Sequence, residues 1–352
     1  MIPIRRFVAR HLALVALLLL AACSVRPGPG VLSPHPEAAT DAASVVRIYA
    51  ATNRALAGDF TGLPAFTTAY RYYDISVPPG AQGIAIPYPG NDPDPATDFL
   101  VLDSGVLDRA AFLAATRKAA GQEDLGLYVH GYNTRFQEAL FRVAQISAGG
   151  VAAAPVLFSW PSMGKPLDYE ADRQAALYSR DPLARLITDL SARDRRLVLF
   201  GHSMGGFLTV EALRTLKLSG RQDVLDRSTV VLAAPDIDVF VFAEQMKTIG
   251  PMKTPMVILT ASDDRALALS SRLAGGRPRV GALPASSPMV AEAARRGNVQ
   301  IIDISAVEAD PLRHQRYITL AQLYTREARA LPELHVPGAY VFDALSRSLI
   351  AP

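Results

Sequence analysis

Short runs of aliphatic and β-branched residues recur along this chain, and between them apolar positions return every three or four residues. Runs of the first kind read as buried strands, and spacing of the second kind reads as amphipathic helices. Residues 45–49 and 72–77 are the first predicted strands, the second stopped by Pro78-Pro79-Gly80. Residues 125–129, 156–159, 197–200, 229–232, 256–259 and 299–304 supply six more. Helical spacing falls at 135–146 and 207–217, and at 169–192 with a break expected near Asp181-Pro182. Regular alternation of this kind predicts an α/β fold, a doubly wound and mainly parallel sheet with helices on both faces. Residues 265–298 interrupt the rhythm and read equally well as a mobile lid over an acyl pocket or as a surface excursion.

The N-terminus follows a different pattern. Arg5, Arg6 and Arg10 precede an apolar stretch, residues 12–20, that is too short to span a bilayer, and small residues come next. Residues 1–22 therefore read as a secretory signal. The stretch ends Leu20-Ala21-Ala22-Cys23, and Cys23 is the single cysteine of the chain. This resembles a bacterial lipobox, which implies cleavage before Cys23 and a diacylglycerol on its thiol. A lipid-bearing Cys23 followed by Ser24 implies a protein held in the bacterial cell envelope, at the outer membrane facing the periplasm. Residues 23–44, rich in Pro, Gly and Ala, read as a flexible tether, leaving 45–352 as the folded domain.

Charge adds one exclusion. The formal net charge is +3, and the three signal-segment arginines, unaccompanied by any acid, account for all of it. No basic stripe with interleaved aromatics remains, so no nucleic-acid partner is expected. No metal-ligand cluster or phosphate loop is seen either, so neither a metal nor another cofactor is implied.

Chemistry gathers where predicted strands end, which is where ligands bind in open α/β sheets. Gly201-His202-Ser203-Met204-Gly205 follows one strand and opens a helix, the setting of a nucleophile elbow. A chain of this size matches Gly-x-Ser-x-Gly by chance about one time in ten, so the partners of Ser203 carry the argument. A serine needs a base, and the chain has six histidines. His11 and His35 lie in the signal and the tether, while His130 and His202 belong to the oxyanion loop and the elbow. His314 is favoured as the base because it follows the last strand by about ten residues, with His335 as the alternative. The acid that orients it is sought after residues 256–259, at Asp263 or Asp264, with Asp236 as the fallback. One of Asp263 and Asp264 could cap the next helix while the other meets the histidine. Backbone N–H groups of Met204 and Tyr132 are the expected oxyanion donors, and Gly131 lets the second loop come close. Trp160, the one tryptophan, could line a pocket but is expected to pack.

Five ordered blocks, Ala51-Thr52-Asn53-Arg54, His130-Gly131-Tyr132-Asn133, Phe158-Ser159-Trp160-Pro161-Ser162, Gly201-His202-Ser203-Met204-Gly205 and Ala234-Pro235-Asp236-Ile237-Asp238, resemble a bacterial α/β-hydrolase family of unknown function within the esterase/lipase superfamily. The resemblance implies an α/β-hydrolase fold from about residue 45 onward. Ser262-Asp263-Asp264-Arg265-Ala266-Leu267 is similar to the family's Asp-x-Ala-Leu element, which implies Asp264 as the acid, and His314 falls on its late histidine. The expected activity is ester hydrolysis through an acyl-enzyme on Ser203, with a small-molecule or lipid ester as substrate. Acyl transfer or amide cleavage by the same triad is the alternative, as is an inactive lipid-anchored envelope scaffold.

Overall fold

The computed structural model describes residues 26–40, 44–81, 83–148, 154–192 and 195–330. Its strands are β1 (Ser44–Ala57), β2 (Asp59–Val77), β3 (Leu100–Leu107), β4 (Leu125–Val129), β5 (Pro155–Ser159), β6 (Leu197–His202), β7 (Ser228–Ala233), β8 (Met256–Thr260) and β9 (Val299–Asp303). They form one mixed sheet in the order β3-β2-β1-β5-β4-β6-β7-β8-β9. Only β2 is antiparallel to its neighbours; every other adjacent pair is parallel.

The two-residue period of the strands sorts their side chains between two apolar layers. Leu125, Leu127 and Val129 enter one layer and Tyr128 the other; Val156 and Phe158 oppose Leu157 in the same way. The first layer is closed by α1 (Arg109–Ala120), α3 (Tyr169–Leu190), α4 (Met204–Leu218) and α6 (Val239–Ile249), through residues such as Phe112, Leu186, Leu208 and Ile249. The second is closed by α2 (Phe136–Ser147) and α9 (Arg316–Ala330), through Leu140, Phe141 and Ile318. The remaining helices are α5 (Gln222–Leu225), α7 (Arg265–Leu273) and α8 (Pro288–Gly297). With both faces covered, the central strands can be apolar throughout, which is why their runs stood out in the sequence.

Four elements differ from the expectation. The first two strands are far longer than 45–49 and 72–77, because Gly58, at φ +77°, reverses the chain and joins them into one hairpin. Edge strand β3 went unforeseen, since only Leu100, Val101 and Leu102 are buried and Asp103-Ser104-Gly105 breaks the apolar pattern. Helix α3 runs through Pro182 unbroken. Buried Ala176 before the proline and Leu183, Leu186 and Ile187 after it hold one axis, and that burial outweighs the single bond Pro182 cannot make.

The fourth difference is the tether. Residues 26–40 do not hang free; they lie on the domain as two short 3-10 turns, Pro29–Leu32 and Pro36–Thr40. His35 N–H donates to Val101 O at 2.7 Å, and Gln137 Nε2 donates to Pro27 O at 2.8 Å. Composition alone misled here, because Pro and Gly that suit a loose linker also suit a strap whose backbone bonds go to a neighbouring surface. Cys23 and the signal segment lie outside the described residues.

Segment 265–298 is likewise anchored rather than a free lid. Val280 N–H donates to Ile237 O, Gly281 N–H to Pro235 O, and Ala261 N–H to Gly281 O, at 2.9, 3.0 and 2.9 Å. A Cβ at Gly281 would fall 2.4 Å from the Ala234 carbonyl carbon, so the chain passes there only as glycine.

Candidate active site

Ser203 stands at the sharp turn between β6 and α4, with φ 54° and ψ −121°, a region that non-glycine residues avoid. Neighbouring strands hold it there. Ser203 N–H donates to Ala233 O at 2.9 Å, and Ser203 O accepts from Gly206 N–H at 2.9 Å and Asp236 N–H at 3.1 Å. The flanking glycines are steric requirements. A Cβ on Gly205 would lie 2.3 Å from the Val129 and His130 carbonyl oxygens, and one on Gly201 would lie 2.8 Å from Gly206 Cα.

Asp264 ends the turn after β8 and uses its two carboxylate oxygens differently. Oδ1 caps α7 by accepting Leu267 N–H at 2.9 Å, while Oδ2 lies 2.7 Å from His314 Nδ1. Spacing allows one neighbouring aspartate to cap the helix and the other to meet the histidine; Asp264 does both. Asp263 is instead paired with Arg313 and Arg316, each at 2.8 Å. Asp236 binds partners other than the histidine. Its carboxylate accepts from Ser270 Oγ at 2.6 Å and Tyr169 OH at 2.9 Å, and buried Arg279 lies 3.2 Å from it. That last contact is an ion pair without hydrogen-bond alignment. His335 lies outside the described residues.

The loop that carries His314 is shaped by Asp310, whose Oδ1 accepts the N–H groups of His314 and Gln315 at 2.7 and 2.8 Å. Arg313 takes a left-handed φ of 56° to complete the turn. Burial works against the charged form of His314, but the bond and charge of Asp264, helped by Asp236 and Asp310, outweigh it and hold its pKa above the ordinary histidine value. An acceptor oxygen 2.7 Å from Nδ1 places the proton of the neutral ring there and leaves Nε2 its lone pair, the tautomer a general base needs. The ring lies 4.7 Å, centroid to centroid, from that of His202, the residue before Ser203.

Gly131 places the second loop against Ser203, since a Cβ there would fall 3.0 Å from both Ser203 Cβ and His202 Nδ1. No backbone acceptor among the described residues takes the N–H of Tyr132 or Met204. Met204 is also the first residue of α4, where N–H groups have no partner within the helix and the dipole is positive.

Several residues that build this loop escaped the sequence reading. Buried Arg54 donates to Ser159 Oγ at 2.9 Å, Ser162 O at 2.8 Å and Thr134 O at 2.8 Å, pinning three segments at once. Desolvation pulls its pKa down to about 9, against the charges of Asp172 and Glu138. Asp172 accepts Asn133 N–H at 2.9 Å, Ser162 Oγ at 2.6 Å and Met163 N–H at 2.6 Å. An acid four residues before Ala176 on the apolar face of α3 was the signal available for it. His130 is stacked on fully buried Trp160, with ring centroids 4.9 Å apart, and Trp160 Nε1 donates to His130 O at 2.7 Å. Burial and then Arg54 hold His130 down to about 3, so it is a neutral packing element. Trp160 therefore packs beneath the loop. A cavity of about 1100 Å³ lies elsewhere, against Phe66, Tyr70 and Asp189, and Ser203, Asp264 and His314 do not line it. Among the described residues no cluster of side chains could hold a metal ion, and no helix is long and apolar enough to cross a membrane.

A parallel sheet with one antiparallel strand near its edge, and a strained serine between strand and helix, define an α/β hydrolase. The chain belongs to the family described as alpha/beta hydrolase of unknown function (DUF900), whose model matches residues 109–331. It is 41% identical over 61 residues to the uncharacterized protein alr1448 of Nostoc sp., a match that spans 17% of this chain and only 16% of that protein. Among solved structures it is similar to esterase B from Lactobacillus rhamnosis, with 12% identity, TM-score 0.38, and 98% and 97% of the two chains covered. A putative YdeN-like hydrolase from Pectobacterium atrosepticum is similar over 64% of this chain and 99% of its own, with 14% identity and TM-score 0.34. Likeness at this level carries nothing about substrate.

Proposed function

We propose that this protein is a serine hydrolase that cleaves carboxylic esters through a Ser203 acyl-enzyme. The observation that carries the reading is the 2.7 Å contact between Asp264 Oδ2 and His314 Nδ1, set beside the strained Ser203 elbow. In this reading His314 Nε2 takes the Ser203 proton as Oγ attacks the ester carbonyl. The tetrahedral oxyanion is held by the N–H groups of Met204 and Tyr132. Collapse expels the alcohol, which takes the proton from His314. Water then adds to the acyl-enzyme by the same route and releases the acid. The substrate is a small-molecule or lipid ester, and Cys23 carries the lipid that holds the enzyme in the cell envelope, at the outer membrane facing the periplasm.

Two assays test the reaction: turnover of short-chain p-nitrophenyl esters and labelling by a fluorophosphonate probe. Wild type should do both and Ser203→Ala neither. A folded Ser203→Ala protein that matches wild type in both would eliminate the proposal.

A further inference from the structure

The N-terminal strap ends at the catalytic loop. Arg26 Nε donates to Glu138 Oε1 at 2.7 Å, Nη1 to Asn133 Oδ1 and Gly164 O at 2.7 Å each, and Nη2 to Asn133 O at 2.7 Å and to Glu138 Oε2. All five N–H groups of one guanidinium are thus engaged. Asn133 is two residues from Gly131, which lies against Ser203. The strap is further secured where Gln137 grips Pro27 O. Arg26 is therefore a fixed point at the carboxyl end of the sheet, on the loop whose Gly131 lies against Ser203.

Cys23 is three residues before Arg26. Three residues of chain span at most about 11 Å, so a lipid on Cys23 would be tied to this point by a short lead. A domain of this size is roughly 50 Å across, so an anchor on Cys23 holds the catalytic end of the molecule at the bilayer and the opposite end away from it.

A second observation concerns the surface at that end. Leu63 follows the hairpin turn, Leu167 the β5 loop, Phe240 opens α6 after β7, Met289 opens α8, and Leu312 sits in the His314 loop; all are exposed, Leu167 at 95%. Each belongs to a segment at the strand-carboxyl end, and Leu167 is three residues from Gly164, which Arg26 grips. Exposed apolar side chains at the end that carries Ser203 fit the headgroup–acyl boundary of a bilayer.

We propose that the strap docks the mouth of the Ser203 site onto the membrane in which Cys23 is anchored, with Arg26 as the rivet, so that the substrate is the ester of an amphiphile resident in that bilayer. This rests on the reading of Cys23 as a lipid anchor and on Ser203 as the nucleophile.

The test uses the full-length lipidated chain in vesicles of phosphatidylethanolamine and phosphatidylglycerol (3:1) containing a headgroup-nitroxide lipid. Lipidation occupies the one native thiol, so Leu167→Cys and Leu218→Cys each offer a single site for a fluorophore; Phe240→Cys is a second site at the mouth. Leu218 ends α4, at the far end of the sheet. Quenching at 167 and 240 should exceed that at 218 several-fold, and Arg26→Ala should bring the values together. Equal or reversed quenching overturns the proposal, as does an Arg26→Ala protein that keeps the wild-type pattern. The mass of the N-terminal peptide and fluorophosphonate labelling are read on the same samples. A Cys23 without acyl groups overturns the proposal at its anchor. An unlabelled Ser203 removes the hydrolase reading and the substrate assignment, while the measured orientation stands.

Discussion

Replacing Asp264 with asparagine separates the two roles of this carboxylate. Asparagine caps helices as well as aspartate, and the atom that accepts Leu267 N–H at 2.9 Å is retained as an amide oxygen. The other atom, 2.7 Å from His314 Nδ1, becomes an NH₂ donor. A donor at that place makes Nδ1 an acceptor and moves the ring proton to Nε2, where it blocks the lone pair that should receive the Ser203 proton. The expected loss in kcat is about 10⁴-fold, or about 5.5 kcal/mol of barrier, with the melting temperature nearly unchanged above neutrality. Asp264→Ala should lose the same activity and also the cap, about 1 kcal/mol, lowering the melting temperature by a few degrees. A pH arm follows from the raised pKa of His314. That shift stabilises the fold fully below the unfolded value near 6.5 and ceases to do so as pH rises through the raised folded value. The stability gap between wild type and Asp264→Asn should therefore be widest in mild acid and narrow above neutrality. The assays are p-nitrophenyl butyrate turnover and thermal melts from pH 6 to 9. A folded Asp264→Asn protein within tenfold of wild-type kcat would refute the reasoning.

Other expectations concern the supports of the site. Burial keeps His130 at about 3 and His202 far below its ordinary value, so only the unfolded chain protonates them as pH falls below 6.5; together they should remove about 3–4 kcal/mol of stability between pH 7 and 5, and denaturant midpoints that do not move would contradict this. Gly131→Ala, whose Cβ would press at 3.0 Å on Ser203 Cβ, should fold yet lose about 10- to 100-fold in kcat. Gly205→Ala meets two backbone oxygens at 2.3 Å and should cost about 3 kcal/mol or more, measured by melting. Asp172→Asn puts an amide donor against one of the donors now on Asn133, Ser162 and Met163. It should destabilise by about 1–3 kcal/mol and lower kcat; a variant with wild-type stability would remove the role given to Asp172.

What the chain determines by itself is local. The central strands could be read because burial on both faces makes them continuously apolar, and the elbow because a nucleophile between strand and helix imposes glycines at fixed offsets. Elimination among six histidines singled out His314, the histidine that Asp264 meets. The tertiary structure alone decided what depends on distant partners. Spacing left Asp263 and Asp264 open and the family resemblance implied Asp264; the tertiary structure supplies the physical reason, since Arg313 and Arg316, some fifty positions away, claim Asp263. The same holds for edge strand β3, for Pro182 within an unbroken helix, and for Arg54 and Asp172, whose hydrogen bonds span the hairpin, α3 and the catalytic loop. It holds most clearly for residues 26–40, which composition marks as a loose tether. A proline-rich segment has no pattern that announces docking, and it becomes a strap because Asn133, Glu138 and Gly164 converge on Arg26 when the sheet assembles.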